Sequence, residues 1–198
     1  LDRAITTLVD AGLQVVLGTP TATPPAWLTR SYPDILRVDG NGRRRNHGTR
    51  RHYCPNSPTY RQYSRRIVAA MSARYSADAR ISGWQIDNEF GGGKTARCYC
   101  DHCAAAFRQW LRARYDDIDA LNEAWGTIFW SQRYNDFDQI NPPDDEVNYK
   151  NPSHLLDYYR FSSDSFVSYQ QEQVDILRQA NPDQFITHNF MGLYHDLD

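Results

Sequence analysis

The sequence predicts an α/β fold of parallel βαβ units, and within that class part of a (β/α)8 TIM barrel rather than an open doubly wound sheet. Three observations carry this reading. Helical and strand periodicities alternate along the 198 residues, and such alternation gives a parallel sheet with right-handed crossovers. Each strand runs into polar or conformationally special residues, Gly18-Thr19-Pro20, Asp87-Asn88-Glu89 and His188-Asn189, and barrel enzymes carry their chemistry at the C-terminal ends of strands. The phosphate fingerprint G-x-G-x-x-G follows none of the strands, which weakens the dinucleotide-binding alternative.

Residues 2–12 form an amphipathic pattern with Leu1, Ile5, Leu8 and Leu13, and Gly12 ends it before the apolar strand at 13–17. A Pro-rich loop follows, Thr23-Pro24-Pro25-Ala26-Trp27-Leu28. Ile35–Val38 with Asp39-Gly-Asn-Gly reads as a small excursion with a tight turn, and a basic loop comes next, with Arg43-Arg44-Arg45 and Arg50-Arg51-His52-Tyr53-Cys54. Ser57-Pro58 is an N-cap and first-turn pair for a helix to about Tyr75. A β-branched and aromatic strand at 81–86 leads into Asp87-Asn88-Glu89 and a triple glycine. Helices at 101–115 and 117–125 follow, the second closed by Gly126. Asn151-Pro152-Ser153 caps a helix of about 28 residues, and a last strand is expected at 185–190.

Composition narrows the class. With 40% hydrophobic and 13% aromatic residues and no low-complexity run, the chain is neither collagen, coiled coil nor disordered. A chain of this length buries roughly 70% of its unfolded surface. No apolar stretch reaches the ~18 residues of a membrane span, and the start has no secretory-signal pattern. A net charge of −2 argues against a dedicated nucleic-acid binder, which needs an excess of Lys and Arg facing phosphates. The chain starts at Leu1 inside a helical pattern without an initiator Met, as expected of one incomplete catalytic domain over 1–198. Three strands in 198 residues are too few to close a barrel, which takes about 250.

Cysteines are confined to Cys54, Cys98, Cys100 and Cys103. Three of them within six residues are too crowded for a disulfide framework, whereas four thiolates close a tetrahedral zinc shell with no open position, which is structural rather than catalytic. One disulfide with free thiols is the alternative on spacing alone. Reduced thiols suggest a cytoplasmic compartment.

Asn88-Glu89 at a strand end is the sharpest feature. Burial keeps a glutamic acid protonated near neutrality, able to donate to a leaving oxygen, and an Asn beside it offers a substrate hydroxyl both a donor and an acceptor. A Glu that caps a loop or pairs with Arg is the plainer reading of those two residues. The stretches Trp84-Gln-Ile-Asp-Asn-Glu-Phe-Gly91 and Arg97-Cys-Tyr-Cys-Asp-His-Cys103 resemble the family-42 glycoside hydrolases, the microbial β-galactosidases. So do Leu17-Gly-Thr-Pro-Thr-Ala-Thr-Pro-Pro-Ala-Trp27, Arg51-His-Tyr-Cys54, Leu121-Asn-Glu-Ala-Trp-Gly126 and Thr187-His-Asn-Phe-Met-Gly192.

The resemblance implies roughly strands 3 to 5 of the barrel and hydrolysis of terminal non-reducing β-D-galactosides with retention. Glu89 would be the proton donor, Asn88 a ligand of a substrate hydroxyl, Arg50 a substrate-contacting arginine at the floor of the site, and Trp130 an aromatic near the site. The four cysteines would be zinc ligands that tie the loops after two strands together, and the complete protein a homotrimer. A retaining mechanism needs a second carboxylate about 5 Å from the first. The other glutamates, Glu123, Glu146 and Glu172, fall in predicted helices or a loop and not at strand ends. The nucleophile is therefore expected outside this sequence, and the isolated chain is expected to be inactive.

Trp125 and Tyr134 are assigned to packing. His188 and Asn189 are open between substrate and structural hydrogen bonding. Arg43-Arg44-Arg45 reads as a solvated or intersubunit face. Two other functions stand beside the hydrolase: a non-catalytic sugar-binding remnant, and a zinc-stabilised nucleic-acid module using the arginine loop, against which the slightly acidic charge and the core-facing stripe after Cys103 both count.

Overall fold

Three short parallel strands, β1 (Val15–Gly18), β2 (Ile81–Gln85) and β3 (Phe185–Thr187), lie side by side in that order. The computed structural model describes residues 1–48, 50–143, 150–192 and 195–197. Gly83 and Trp84 of β2 pair with Val16 and Leu17 on one side and with Phe185 and Ile186 on the other. Crossovers between parallel strands run through helices. Between β1 and β2 lie α1's neighbour in sequence, the short α2 (Ala26–Ser31), and the long α3 (Pro58–Tyr75); α1 itself is Asp2–Asp10. Between β2 and β3 lie α4 (Asp101–Arg114), α5 (Ile118–Trp125) and α6 (Pro152–Ala180). Among the described residues no helix is long and apolar enough to cross a membrane.

The caps read in the sequence hold. The Ser57 hydroxyl accepts from the Tyr60 amide, Asn151 accepts from the Ser153 and His154 amides, and Gly126 closes α5 in the left-handed conformation at φ 63°. Asp39 accepts from the Asn41 and Arg43 amides at 3.0 Å each, and this turn brings Val38 opposite Arg44. Three boundaries differ from expectation. The first strand begins at Val15 because the Leu13 amide is used to close α1, donating to the Leu8 carbonyl at 3.0 Å. The last strand stops at Thr187 because the His188 ring, not a backbone amide, takes the Ile86 carbonyl. Within the Pro-rich loop, α2 forms behind the extended Pro25, which pre-sets the chain for a helical turn.

Two hydrophobic clusters flank the sheet. Ile5, Val15, Leu17, Val68, Trp84, Ile86, Phe166, Tyr169 and Leu177 join the strands to α3 and α6. Phe107, Leu111, Leu121, Trp125, Tyr158 and Phe161 surround the cysteines. The 29-residue α6 contributes to both, so it fixes the cysteine-bearing loop relative to the strand ends. Trp125 is buried, donating from its indole to the Asp157 carboxylate at 2.9 Å, and its ring packs edge-on against Tyr134.

Sheet closure depends on Gly83. A Cβ there would lie 2.6 Å from the Phe185 carbonyl oxygen, a backbone atom that cannot rotate away. Gly83→Ala is expected to destabilise the chain by about 1–3 kcal/mol, measured by urea unfolding. An unchanged midpoint would show that β3 shifts freely on β2.

Candidate active site

The C-terminal end of β2 turns sharply before Glu89. Asp87 and Glu89 both have positive φ, 49° and 46°, a conformation that costs L-residues about 1 kcal/mol or more each. Neighbouring groups hold the turn from both ends. The His188 Nδ1–H donates to the Ile86 carbonyl at 2.6 Å, and the Phe90 amide donates to His188 Nε2 at 3.4 Å. The same ring stacks on Phe90 at 4.4 Å. His188 therefore brackets residues 86–90, and its role in this chain is structural. Burial lowers its pKa, which keeps the ring neutral with one donor and one acceptor nitrogen.

Asp87 anchors the middle of the turn. Its side chain accepts from the Asn88 amide at 2.7 Å, from the Thr21 hydroxyl at 2.8 Å and from the Tyr53 hydroxyl at 3.0 Å. Its own amide donates to Thr19 Oγ1 at 2.9 Å. Burial raises its pKa to about 6, while the hydrogen bonds from Asn88, Thr21 and Tyr53 and the charge of Arg51 oppose that rise. By its motif the buried carboxyl is expected at Glu89. The structure puts it two residues earlier: the Glu89 side chain is 32% exposed. Asp87 was visible only as a neighbour in the motif, since nothing in a sequence says which of two nearby acids turns inward.

Glu89 Oε2 lies 2.9 Å from Arg51 Nη1 and 3.2 Å from Arg50 Nη2. Arg51 Nη1 also donates to the Glu89 carbonyl at 3.0 Å, so one guanidinium grips both backbone and carboxylate. Arg51 is the residue that sequence reasoning passed over in favour of Arg50. Its place is made by Gly92, where any Cβ would overlap the guanidinium. Asn88 is oriented by Asn189, whose amide donates to Asn88 Oδ1 at 2.7 Å. The Asn88 Nδ2 is buried with no hydrogen-bond partner, a donor left for something else.

Arg50, Asn88 and Glu89 are thus brought together, with Asn189 beside them. Trp130 is not among their contacts. It lies in a 3-10 turn, Phe129–Ser131, is 64% exposed, and stacks on Phe129 at 4.5 Å. Trp27 is likewise exposed and packs edge-on against Tyr63. Of the other glutamates, Glu172 on α6 is tied to Arg61 and Arg65 at 2.7 and 2.8 Å, and Glu123 stands exposed on α5. Glu146 lies outside the described residues.

The four cysteines are buried and reduced, and their Sγ atoms all lie within 4.8 Å of one another. Cys54 is 3.4 Å from Cys103 and 3.5 Å from Cys100, far beyond a disulfide's ~2.05 Å. Four sulfurs about 2.3 Å from one metal ion sit roughly 3.8 Å apart at the corners of a tetrahedron. The cluster fits a metal ion. Without one, burial pushes the Cys54 thiol well above its usual range, a cost that metal binding reverses by taking up the thiolate. The Val38 amide at 3.4 Å from Cys98 and the Asn56 amide at 3.4 Å from Cys103 supply donors to the sulfurs.

Comparison with known proteins agrees with this architecture. The family model described as Beta-galactosidase matches residues 1–198. Curated β-galactosidases from Thermus thermophilus and Thermus sp are 58% and 57% identical over 198 residues, all of this chain and 31% of each relative. The solved structure of a β-galactosidase from the Antarctic haloarchaeon Halorubrum lacusprofundi superposes with a TM-score of 0.97 at 54% identity, covering 100% of this chain and 30% of its own. The chain therefore spans about a third of the relatives it matches, and across its whole length it belongs to family 42 of the glycoside hydrolases, the β-galactosidases.

Proposed function

We propose that this chain is the central part of a retaining β-galactosidase, roughly strands 3 to 5 of its barrel, and that Glu89 is the proton donor. The observation that carries the reading is a carboxylate at the end of β2, held on a strained turn beside Arg50 and an Asn88 amide with a free donor, in a chain of this family. The galactoside's hydroxyls are taken by Asn88 Nδ2 and by Arg50, whose side chain is half exposed and free to swing from Glu89 to the sugar. Loss of that cation leaves Glu89 paired with Arg51 alone, in reach of the glycosidic oxygen. Trp130 serves as an aromatic wall once the rest of the barrel surrounds it.

Glu89 protonates the leaving oxygen while a carboxylate on the opposite face of the sugar, about 5 Å away, attacks the anomeric carbon; Glu89 then deprotonates the water that releases the sugar. Among the described residues Glu123 and Glu172 are held away on helices, and Glu146, outside them, falls in a Pro- and Asp-rich stretch of the sequence, so the nucleophile is assigned to a part of the protein beyond this chain, and the 198 residues alone are expected not to turn over substrate. The complete protein is a homotrimer acting in the cytoplasm, where the thiols stay reduced. Zinc on Cys54, Cys98, Cys100 and Cys103 supplies structural support and no step of the reaction.

In the complete protein, Glu89→Gln should cut kcat/KM on lactose at least 100-fold, within the range for removing a general acid, and much less on a nitrophenyl galactoside, whose leaving group needs no proton in the step that kcat/KM reports. An equal loss of kcat/KM on both substrates would remove Glu89 from that role. The cobalt-substituted chain should show the intense visible bands of a tetrahedral thiolate site, and Cys54→Ser should abolish them; weak octahedral bands would contradict a four-sulfur shell. For Asp87, a pKa raised to about 6 in the fold means the native state holds the proton more tightly than the unfolded one. Its contribution to stability is therefore full below pH ~4 and is lost as pH rises through about 6. Between pH 5 and 7.5 the stability of wild type relative to Asp87→Asn should fall by on the order of 1 kcal/mol in denaturant titrations. A difference that rises with pH would reverse the assignment.

A further inference from the structure

The loop that carries Arg50 folds against residues 93–95 and leaves a cavity of about 310 Å³. Its charged lining is of one sign: Arg37, Arg45, Arg50, Arg51 and Lys94. Among the described residues two carboxylates answer these five cations. Asp39 lies 3.7 Å from Arg45 and is shared with Arg43, and Glu89 takes Arg50 and Arg51.

Two guanidinium groups in the wall are incompletely bonded. Arg37 is only 3% exposed; its Nη1 donates to the Thr95 carbonyl, but Nε and Nη2 have no hydrogen-bond partner. Arg51 spends Nη1 on Glu89 and leaves its buried Nε unbonded. Buried charged donors without acceptors are rare because water has been removed and nothing replaces it. Cys98 lies near enough for the Arg37 charge to favour its thiolate, but that sulfur accepts from the Val38 amide, and Nε and Nη2 of Arg37 hydrogen-bond to no sulfur. A planar fork of N–H groups presents the geometry that a tetrahedral oxyanion accepts in pairs, and surrounding cations of one sign raise the local concentration of anions.

We propose that this cavity binds a tetrahedral oxyanion, phosphate or sulfate, with Arg37 and Arg51 as its inner donors and Arg45 and Lys94 at its rim. The anion arrives either free or as an ester on a sugar held at Glu89. The second source rests on the hydrolase reading above, whereas oxyanion binding itself does not, since it needs no turnover.

The test is calorimetric titration of the complete, zinc-loaded protein with inorganic phosphate and with sulfate, at constant ionic strength set by sodium chloride. Saturable binding at one site per chain is expected, weakened at least tenfold in the Arg45→Ala/Lys94→Ala double variant and in Arg37→Met. The double variant alters exposed side chains and keeps the test intact if Arg37→Met fails to fold or to retain zinc. Galactose and galactose 6-phosphate form the second arm. Tighter binding of the sugar phosphate than of inorganic phosphate assigns the site to a substrate ester; equal or weaker binding assigns it to the free ion. Heats no larger than those of added chloride, or a double variant that binds as well as wild type, would overturn the proposal.

Discussion

The arrangement at the strand ends depends on one buried carboxyl group. Asp87 sits where water cannot reach it, and three donors from three stretches of chain converge on it: the amide of its own turn, a hydroxyl from the loop after β1 and a hydroxyl from the loop before α3. Each of these bonds is short-ranged, yet together they set the height of Asn88 and Glu89 above the sheet. Thr19 and Thr21 connect the same network to Gln173 on α6, at 2.9 and 3.2 Å, so helix, loop and strand end meet in a single polar knot. A network of this kind specifies one geometry because any rearrangement strands a polar atom in a dry interior.

The second hub lies on the far side of α6. The Tyr158 hydroxyl donates to the Cys98 carbonyl, and Asp157 accepts from Tyr115 at 2.6 Å and from Trp125 at 2.9 Å. Asn56 reaches from the base of the α3 loop to both Cys103 and Ser165. The cysteine cluster is thus seated between the loop before α3, the loop after β2 and the same long helix that carries Gln173. Strain at Asp87 and Glu89 is tolerable because both sides of the turn are tied to α6 through separate sets of contacts.

Much of this was legible in the sequence, and the limits have physical reasons. Helix caps and the four-cysteine spacing are local chemistry, so Ser57, Asn151, Gly126 and the cysteines read directly. The alternation of elements was enough for a parallel sheet, and the motif residues Arg50, Asn88 and Glu89 do converge. Long-range choices were not legible. Which acid of Asp87-Asn88-Glu89 turns inward is decided by Tyr53 and Thr21, which are 34 and 66 positions away. Arg51 and Arg50 look alike in sequence, and only the space left by Gly92 separates their roles. The true end of β3 was hidden because a side chain, His188, replaces a ladder bond that periodicity assumes to be backbone. Trp130 carries a motif resemblance, but the ring it stacks on is its neighbour Phe129.

His188 brackets a turn that precedes it by about a hundred positions: its bonds to Ile86 and Phe90 span 102 and 98 residues. Contacts so distant close large loops and form late compared with helices and hairpins. During synthesis, which proceeds from the N-terminus, Glu89 leaves the ribosome well before the ring that clamps its turn has been made. Until then residues 86–90 are free to relax out of their positive-φ conformation. The geometry at Glu89 is therefore a product of β3 docking, and a chain interrupted anywhere before His188 would hold the residue without the shape.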